Sequence, residues 1–342
     1  MLYESDFPRL IGNKKLKSTV SADIRSGKAA HAYIIDGIKG SGKHTAAREI
    51  CAAAVCEHRT DSNIPIPCGH CPSCRKILSG ISVDVMTVSN GEKATIGVDA
   101  IRGIRSSLYV TPNDGEKKFY IIENAHLMTP QAQNALLLSL EEPPPYVMFL
   151  LLSEDTSALL DTIKSRAPSI RTERFSPEFV LDYLMKHSKN ADREKAVNAA
   201  FLSDGSLGKA AELMKSGTAE LKLYNLAAEL SNALLSPKKS DGMILLSSMP
   251  KDRQSVCRVL SLTRFALRDA ISSKKGGSLL FYPKDSGVPD NTKKISVKRL
   301  IELSSALTDA ENDIAANCSA NTVLTSIILN SQKGEYSKWK TI

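Results

Sequence analysis

The sequence lacks any long run of hydrophobic residues. Its longest uninterrupted apolar stretch covers residues 147–152, far short of the roughly 20 residues that a helix needs to cross a bilayer. Residues 1–9 carry charges where a secretory signal peptide would be apolar. These absences argue against a membrane-spanning or secreted protein, and we expect a cytoplasmic protein without a membrane partner.

The composition also lacks the biases of fibrous and disordered proteins. Hydrophobic residues make up 42% of the chain and charged residues 24%, close to the usage of ordinary globular proteins. We find no internal repeat and no low-complexity tract. A length of 342 residues predicts roughly two to three domains. The formal net charge of +8 is compatible with a nucleic-acid partner but does not indicate one by itself.

Short apolar runs alternate with helix-prone stretches in the first half of the chain. The runs predicted as strands are 32–36, 83–88, 119–122 and 147–152, and the main helix-prone stretches are 45–55, 98–109 and 129–142. This alternation predicts an α/β domain with a mostly parallel sheet and helices on both faces.

Beyond about residue 174 the pattern predicts helices only. The predicted helices are 177–187, 192–203, 207–215, 219–235, 251–272 and 297–330, the last with breaks. Two further domains fit this region, a small one at 175–215 and a larger one at 216–342. Residues 274–294 contain glycines, prolines and lysines, which predict an exposed loop.

A glycine-rich loop follows the first predicted strand. Gly37 is separated by four residues, including Gly40, from the pair Gly42 and Lys43. Glycines let backbone N–H groups turn toward phosphate oxygens, and the following helix adds its positive N-terminal end. The spacing therefore predicts a phosphate-binding loop in which Lys43 reaches the terminal phosphates of a nucleotide.

The last position of this motif departs from the pattern. The residue after the lysine normally carries a hydroxyl that holds Mg²⁺, but here it is His44, and Thr45 comes one residue late. Three interpretations stay open: a working nucleotide site, a loop that keeps its shape but binds nucleotide weakly or not at all, and a glycine-rich turn without a ligand.

Cysteines are concentrated in one segment, with five of the seven between residues 51 and 74. Four of them have the short spacings of a closed tetrahedral zinc site: Cys56, Cys68, Cys71 and Cys74. In a cytoplasmic protein a structural metal is a better explanation than disulfides, although free thiols are the alternative. We expect Cys51 to be a core residue and His58 and His70 to be solvated loop residues.

A second polar motif follows the predicted strand at 119–122. Glu123 stands where a phosphate-loop ATPase places the carboxylate that orders Mg²⁺, and Asn124 stands where such enzymes place a water-activating glutamate. An amide cannot accept a proton from water, so this position predicts no general base. Glu123 could still assist magnesium, or could simply be a polar strand end.

The order of these motifs resembles the AAA+ clamp-loader family, and within it the delta prime subunits of bacterial DNA polymerase III. The resemblance covers about residues 10–210. Besides the glycine loop and the cysteine insertion, the segments that carry it are 31–37, 120–128, 134–144, 163–167 and 205–210.

The resemblance implies a three-part architecture. It implies an AAA+ P-loop domain at residues 1–174, with a mostly parallel five-stranded sheet and a zinc module at 56–74. A small helical lid would follow at 175–215. An all-α collar at 216–342 would join the chain to gamma/tau and delta subunits in an assembly that uses ATP to load a sliding clamp on primed DNA.

The resemblance also assigns roles to single residues. Arg166, preceded by Ser165, corresponds to an arginine finger that reaches the γ-phosphate held by a neighbouring subunit. In the family's motor subunits, the hydroxyl residue that holds Mg²⁺, the water-activating glutamate and an arginine of the lid are intact. Here these three positions carry His44, Asn124 and Gly208. These replacements predict a stator-like accessory subunit of the polymerase holoenzyme with weak or absent ATPase activity.

Two alternative functions stay open. The first is an active motor ATPase of the gamma/tau type, which intact magnesium-binding and water-activating residues would favour. The second is a zinc-stabilised DNA-binding module with a vestigial nucleotide fold, which tight binding of primed DNA by the isolated chain would favour.

Overall fold

The chain divides into two compact units. One comprises Met1–Arg174 together with Ser206–Gly208, and the other comprises Phe175–Gly205 together with Lys209–Ile342. The structure is a computed structural model, and the residues that it describes are 5–91, 93–113, 115–187, 192–216, 218–236, 239–277, 279, 281–282, 288–293 and 295–331.

A five-stranded parallel sheet forms the centre of the first unit, as predicted. Its strands are β1 Ala32–Asp36, β2 Val85–Val88, β3 Lys118–Ile122, β4 Val147–Ser153 and β5 Ser169–Arg171. They are arranged in the order β2-β3-β4-β1-β5, and all pairs are parallel. The apolar pattern predicted four of these strands. It missed β5 because that strand has only three residues and none of them is fully buried.

Helices connect the strands and lie close to their predicted positions. The helices of this unit are α1 Lys14–Arg25, α2 Lys43–Ala54, α3 Pro72–Leu78, α4 Val98–Ser107, α5 Pro130–Glu141 and α6 Asp161–Lys164. Helix α2 begins at the lysine of the glycine loop, two residues earlier than predicted. The sequence pattern did not predict α1, α3 or α6.

Both faces of the sheet are buried, which confirms the predicted helical layers. In the central strands, alternate residues contribute to two separate apolar clusters, because successive strand residues point to opposite faces. Ile35 and Leu150 belong to the cluster that includes residues of α1, α2 and α3. Ile34 and Phe149 belong to the cluster that includes residues of α4, α5 and α6.

A buried ion pair joins the N-terminal segment to α1 and to the cysteine insertion. Arg25 donates to both carboxylate oxygens of Asp6, at 2.7 and 3.2 Å. It also donates to the carbonyls of Asp61 and Ile64, while Asp6 accepts from the backbone N–H of Ile66. The pair therefore fixes the loop that leads to Cys68.

The second unit is helical. Its helices are α7 Pro177–His187, α8 Arg193–Leu202, α9 Leu207–Ser216, α10 Thr218–Leu235, α11 Lys239–Leu246, α12 Arg253–Ser273, α13 Asp290–Lys293, α14 Val297–Ala315 and α15 Ala320–Asn330. Helix α12 packs against both α10 and α14. The finer division into a lid at 175–215 and a collar at 216–342 stays a prediction. Over the part of the chain that the structure describes, no helix is both long and apolar enough to cross a membrane.

Part of the predicted exposed loop at 274–294 lies outside the described residues. Among those described, the prediction is wrong at Phe281, Tyr282 and Thr292, which are buried, and at 290–293, which form α13. Phe281 and Tyr282 are buried, and the carboxylate of Asp269 accepts hydrogen bonds from both of their backbone N–H groups. The ring of Phe281 also stacks on Tyr224. The polar composition of the segment gave no sign that Phe281 and Tyr282 are buried, because their burial depends on contacts with residues of α10 and α12.

The buried ion pair gives a stability prediction. We expect Asp6→Ala to lower the free energy of unfolding by about 3–5 kcal/mol, because it leaves the Arg25 guanidinium buried without its carboxylate. Urea denaturation measures this change. The exposed Lys15→Ala on the same helix should change stability by less than about 0.5 kcal/mol, and an equally small loss in both variants would contradict the assigned role of the pair.

Candidate functional site

Three loops meet at the carboxyl edge of the sheet. The glycine loop follows β1, Glu123 and Asn124 follow β3, and Glu154 follows β4. Because the strands are parallel, all of these loops leave the sheet at the same edge, which is where ligands bind in open α/β sheets. The fold therefore brings the predicted nucleotide-site residues together.

The conformation of the loop depends on its glycines. Gly40 and Gly42 have φ angles of 73° and 94°, in the left-handed region that residues with a Cβ rarely adopt. A Cβ on Gly37 would lie 1.8 Å from Oγ1 of Thr172. That hydroxyl instead donates to Oγ of Ser41 at 2.7 Å, so the residue that follows β5 supports the loop.

Lys43 lies inside the loop with its ammonium group held by protein acceptors. Its Nζ donates to the carbonyls of Gly37 at 2.7 Å and Ile38 at 3.0 Å, and lies 3.5 Å from Oε1 of Glu154. Burial lowers the pKa of Lys43, and the charge of Glu154 opposes that shift. A phosphate group would therefore compete with the Glu154 carboxylate for this ammonium.

The expected magnesium position is occupied by a histidine–glutamate pair. Nδ1 of His44 lies 3.1 Å from Oε1 of Glu123, the carboxylate that the sequence suggested for Mg²⁺. Magnesium in proteins requires oxygen ligands in near-octahedral geometry, and an imidazole paired with the remaining carboxylate does not fit that requirement. Thr45 lines a cavity of about 360 Å³ together with Arg9, His44 and Arg48.

An amide network lies at Asn124, the position where the sequence predicted no general base. Nδ2 of Asn124 donates to Oδ1 of Asn90 at 3.1 Å, and Nδ2 of Asn90 donates to the carbonyl of Lys93. Neither amide can act as a general base. Sequence analysis missed Asn90, because it follows a different strand from Asn124 and has no motif of its own.

Residues 206–208 bind the glycine loop through two hydrogen bonds. Oγ of Ser206 donates to the carbonyl of Lys39 at 2.9 Å, and the N–H of Gly208 donates to the carbonyl of Gly40 at 3.0 Å. A Cβ on Gly208 would lie 2.7 Å from that same carbonyl oxygen. The position at which the resemblance implied a lid arginine thus has room only for glycine in this arrangement.

The four clustered cysteines converge on one point. Their Sγ atoms all lie within 4.8 Å of one another, and the Sγ atoms of Cys68 and Cys74 are 4.0 Å apart. A hydrogen bond from Cys74 lowers the pKa of the Cys56 thiol. This donor set could hold zinc, which prefers thiolate ligands.

The other residues of the segment have different surroundings. Cys51 is completely buried, and burial raises the pKa of its thiol. It is therefore a core residue, as predicted. Ring nitrogens of His58 and His70 lie within 4.8 Å of the Cys68 Sγ, so the expectation that these histidines are only solvated loop residues stays a prediction.

Arg166 lies just after α6 and is partly exposed. Its Nη2 donates to Oε1 of Glu141 at 2.8 Å, and its Nη1 donates to the carbonyl of Thr162 at 3.0 Å. Oγ of Ser165 donates to the same carbonyl. These contacts of Arg166 are with α5 and α6, and a third of its side chain, 34%, is exposed.

Comparisons with known proteins agree with this geometry. A family model described as "DNA polymerase III, delta subunit" matches residues 12–176. The chain is 31% identical over 213 residues to the DNA polymerase III subunit gamma of Buchnera aphidicola subsp. Schizaphis graminum, covering 61% of this chain and 57% of that protein. It is 29% identical over 244 residues to the DNA polymerase III subunit tau of Bacillus subtilis, covering 71% of this chain and 41% of that protein. The matches therefore span less than two thirds of the length of either relative.

A solved structure shares the fold. A gamma subunit-related protein from Thermotoga maritima aligns with a TM-score of 0.50 and 18% identity, covering 92% of this chain and 98% of that chain. At that identity the likeness concerns the fold alone. The family model at residues 12–176 and the relatives named gamma and tau are thus all subunits of DNA polymerase III, and these are the proteins that the chain resembles.

Proposed function

We propose that the chain is the delta prime subunit of a DNA polymerase III clamp loader. In this role it does not hydrolyse ATP itself and donates Arg166 to the ATP site of a neighbouring subunit. The observation that carries the proposal is the contact of 3.1 Å between His44 and Glu123, because it replaces the magnesium ligands on which phosphoryl transfer depends.

Two further features support the absence of hydrolysis in this subunit. Asn124 and Asn90 form an amide pair at the position of the catalytic base, so no side chain there accepts a proton from water. The backbone contact of Gly208 with Gly40 excludes any side chain at the lid position. The chain therefore differs from the motor subunits at three positions that the resemblance links to hydrolysis.

The position of Arg166 supports a role outside its own nucleotide site. Its guanidinium pairs with a carboxylate that is itself 45% exposed, and such exposed pairs contribute only about 0–1 kcal/mol. The arginine can therefore be redirected at little cost. A cation placed on a neighbour's γ-phosphate accelerates phosphoryl transfer by about 10³ to 10⁵.

The proposed partners follow from the family. They are gamma/tau subunits, which would bind and hydrolyse ATP with Mg²⁺, together with a delta subunit, the sliding clamp and primed DNA. Zinc held by the four cysteines would act as a structural ion, because a closed thiolate site leaves no position open for a substrate.

A gamma/tau-type motor is the second candidate function. Two observations favour it: the similarity to subunits with those names and the intact glycine loop with Lys43 inside it. The His44–Glu123 contact and the amide at Asn124 oppose it.

The first test concerns the arginine finger. In a clamp loader reconstituted with the full chain, we expect Arg166→Ala to lower single-turnover hydrolysis at the site it serves by roughly 10³-fold or more. Subunit assembly, measured by gel filtration, should be unchanged. The exposed Arg102→Ala on α4 is the matched control. Normal turnover with Arg166→Ala would exclude the finger role.

The second test concerns the metal. We expect purified protein to contain about one zinc ion per chain, and Cys71→Ser to lose it and to melt at a lower temperature, because ligand loops of this kind depend on the metal for folding. Metal analysis and thermal denaturation measure the two effects. The exposed Cys318→Ser should behave like the natural protein, and zinc-free natural protein would contradict the assignment.

A further inference from the structure

Glu141 holds the guanidinium of Arg166 at a defined place on the surface of the first unit. The pair joins the last residue of α5 to the residue that follows Ser165 after α6. We propose that Glu141 is a positioning residue for the arginine finger: it orients the guanidinium and leaves some of its donors free for a neighbour's phosphate. This inference rests on the proposed function of Arg166.

The hydrogen-bond count of the guanidinium allows this dual role. Arginine has five N–H donors in a rigid plane. Among the described residues, its side chain donates to Oε1 of Glu141 at 2.8 Å, to the carbonyl of Thr162 at 3.0 Å and, at a longer 3.5 Å, to Oγ of Ser165. At least two N–H groups therefore remain, so a phosphate can bind without displacing Glu141.

Both partners are anchored by buried neighbours. On α5, Leu136 and Leu140 are buried, and the hydroxyl of Thr129 caps the start of the helix. On the other side, Ile163 and Ala167 flank the arginine and are both completely buried. A functional group held between rigid elements keeps its geometry better than one on a free loop.

The location of Glu141 at the end of α5 gives the Arg166 guanidinium a further electrostatic reason to lie there. A carboxylate in the last turn of a helix is repelled by the negative end of the helix dipole, and a cation there is attracted. Arg166 supplies the cation that this end of α5 lacks, so the guanidinium is attracted to α5 by more than one group.

The Glu141–Arg166 pair is strong enough to favour one orientation of the guanidinium but too weak to fix it there. Because both side chains are partly exposed, the pair should shift the population of the oriented rotamer by no more than about fivefold. Arginine has many rotamers, and restricting them before assembly lowers the entropic cost of reaching the phosphate. The effect on turnover should therefore be modest and should depend entirely on Arg166.

The experiment is a double-mutant cycle in the reconstituted clamp loader. We expect Glu141→Ala to lower the rate constant of ATP hydrolysis by about two- to fivefold with KM unchanged. Glu141→Gln should recover part of the loss, because its amide oxygen can still accept from Nη2. In the Arg166→Ala background, Glu141→Ala should have no further effect. Glu142→Ala changes the same charge on the adjacent residue and should leave turnover unchanged.

Several outcomes would overturn the inference. If Arg166→Ala lowers turnover but Glu141→Ala does not, Glu141 has no positioning role and the proposed function stands. A rise in turnover with Glu141→Ala would mean that the carboxylate restrains the finger. An equal loss in the natural and Arg166→Ala backgrounds would indicate a general structural effect. If Arg166→Ala itself has no effect, both the inference and the finger role fail.

Discussion

The parallel arrangement of the five strands is the constraint on which the candidate site depends. It places the carboxyl ends of β1, β3 and β4 at one edge, so that Lys43, Glu123 and Glu154 become neighbours although they are far apart in sequence. The same sheet has two buried faces, which require helices on both sides. The order of strands and helices along the chain thus determines both the core and the position of the site.

At this edge the protein keeps the scaffold of a nucleotide site and changes its chemistry. The left-handed glycines and the support from Thr172 preserve the shape of the loop. Where the resemblance implies groups that hold magnesium and activate water, the chain has His44 and Asn124, and both residues contact other side chains. Such a site contributes to the stability of the fold without needing turnover. In the proposed function, the partly exposed Arg166 is the group that acts on another subunit's nucleotide.

The sequence alone predicted the features that depend on local pattern. The apolar runs predicted four strands, the glycine spacing predicted the loop after β1, and the cysteine spacing predicted a set of four thiols that the fold brings together. It could not predict contacts between distant segments. The bond of Gly208 to Gly40 joins residues far apart in the chain, and the Asn90–Asn124 and Glu141–Arg166 pairs have no characteristic spacing. The burial of Phe281 likewise depends on Asp269 and Tyr224, which a polar segment does not reveal.

The most direct test of the central claim is phosphate release from Mg-ATP by the isolated, zinc-loaded chain. Because His44 pairs with Glu123 and no base stands at Asn124, this account predicts no turnover above the protein-free background. Lys43→Ala should give the same result. Clear turnover by the natural chain that disappears in Lys43→Ala would contradict the account and identify the chain as a motor ATPase.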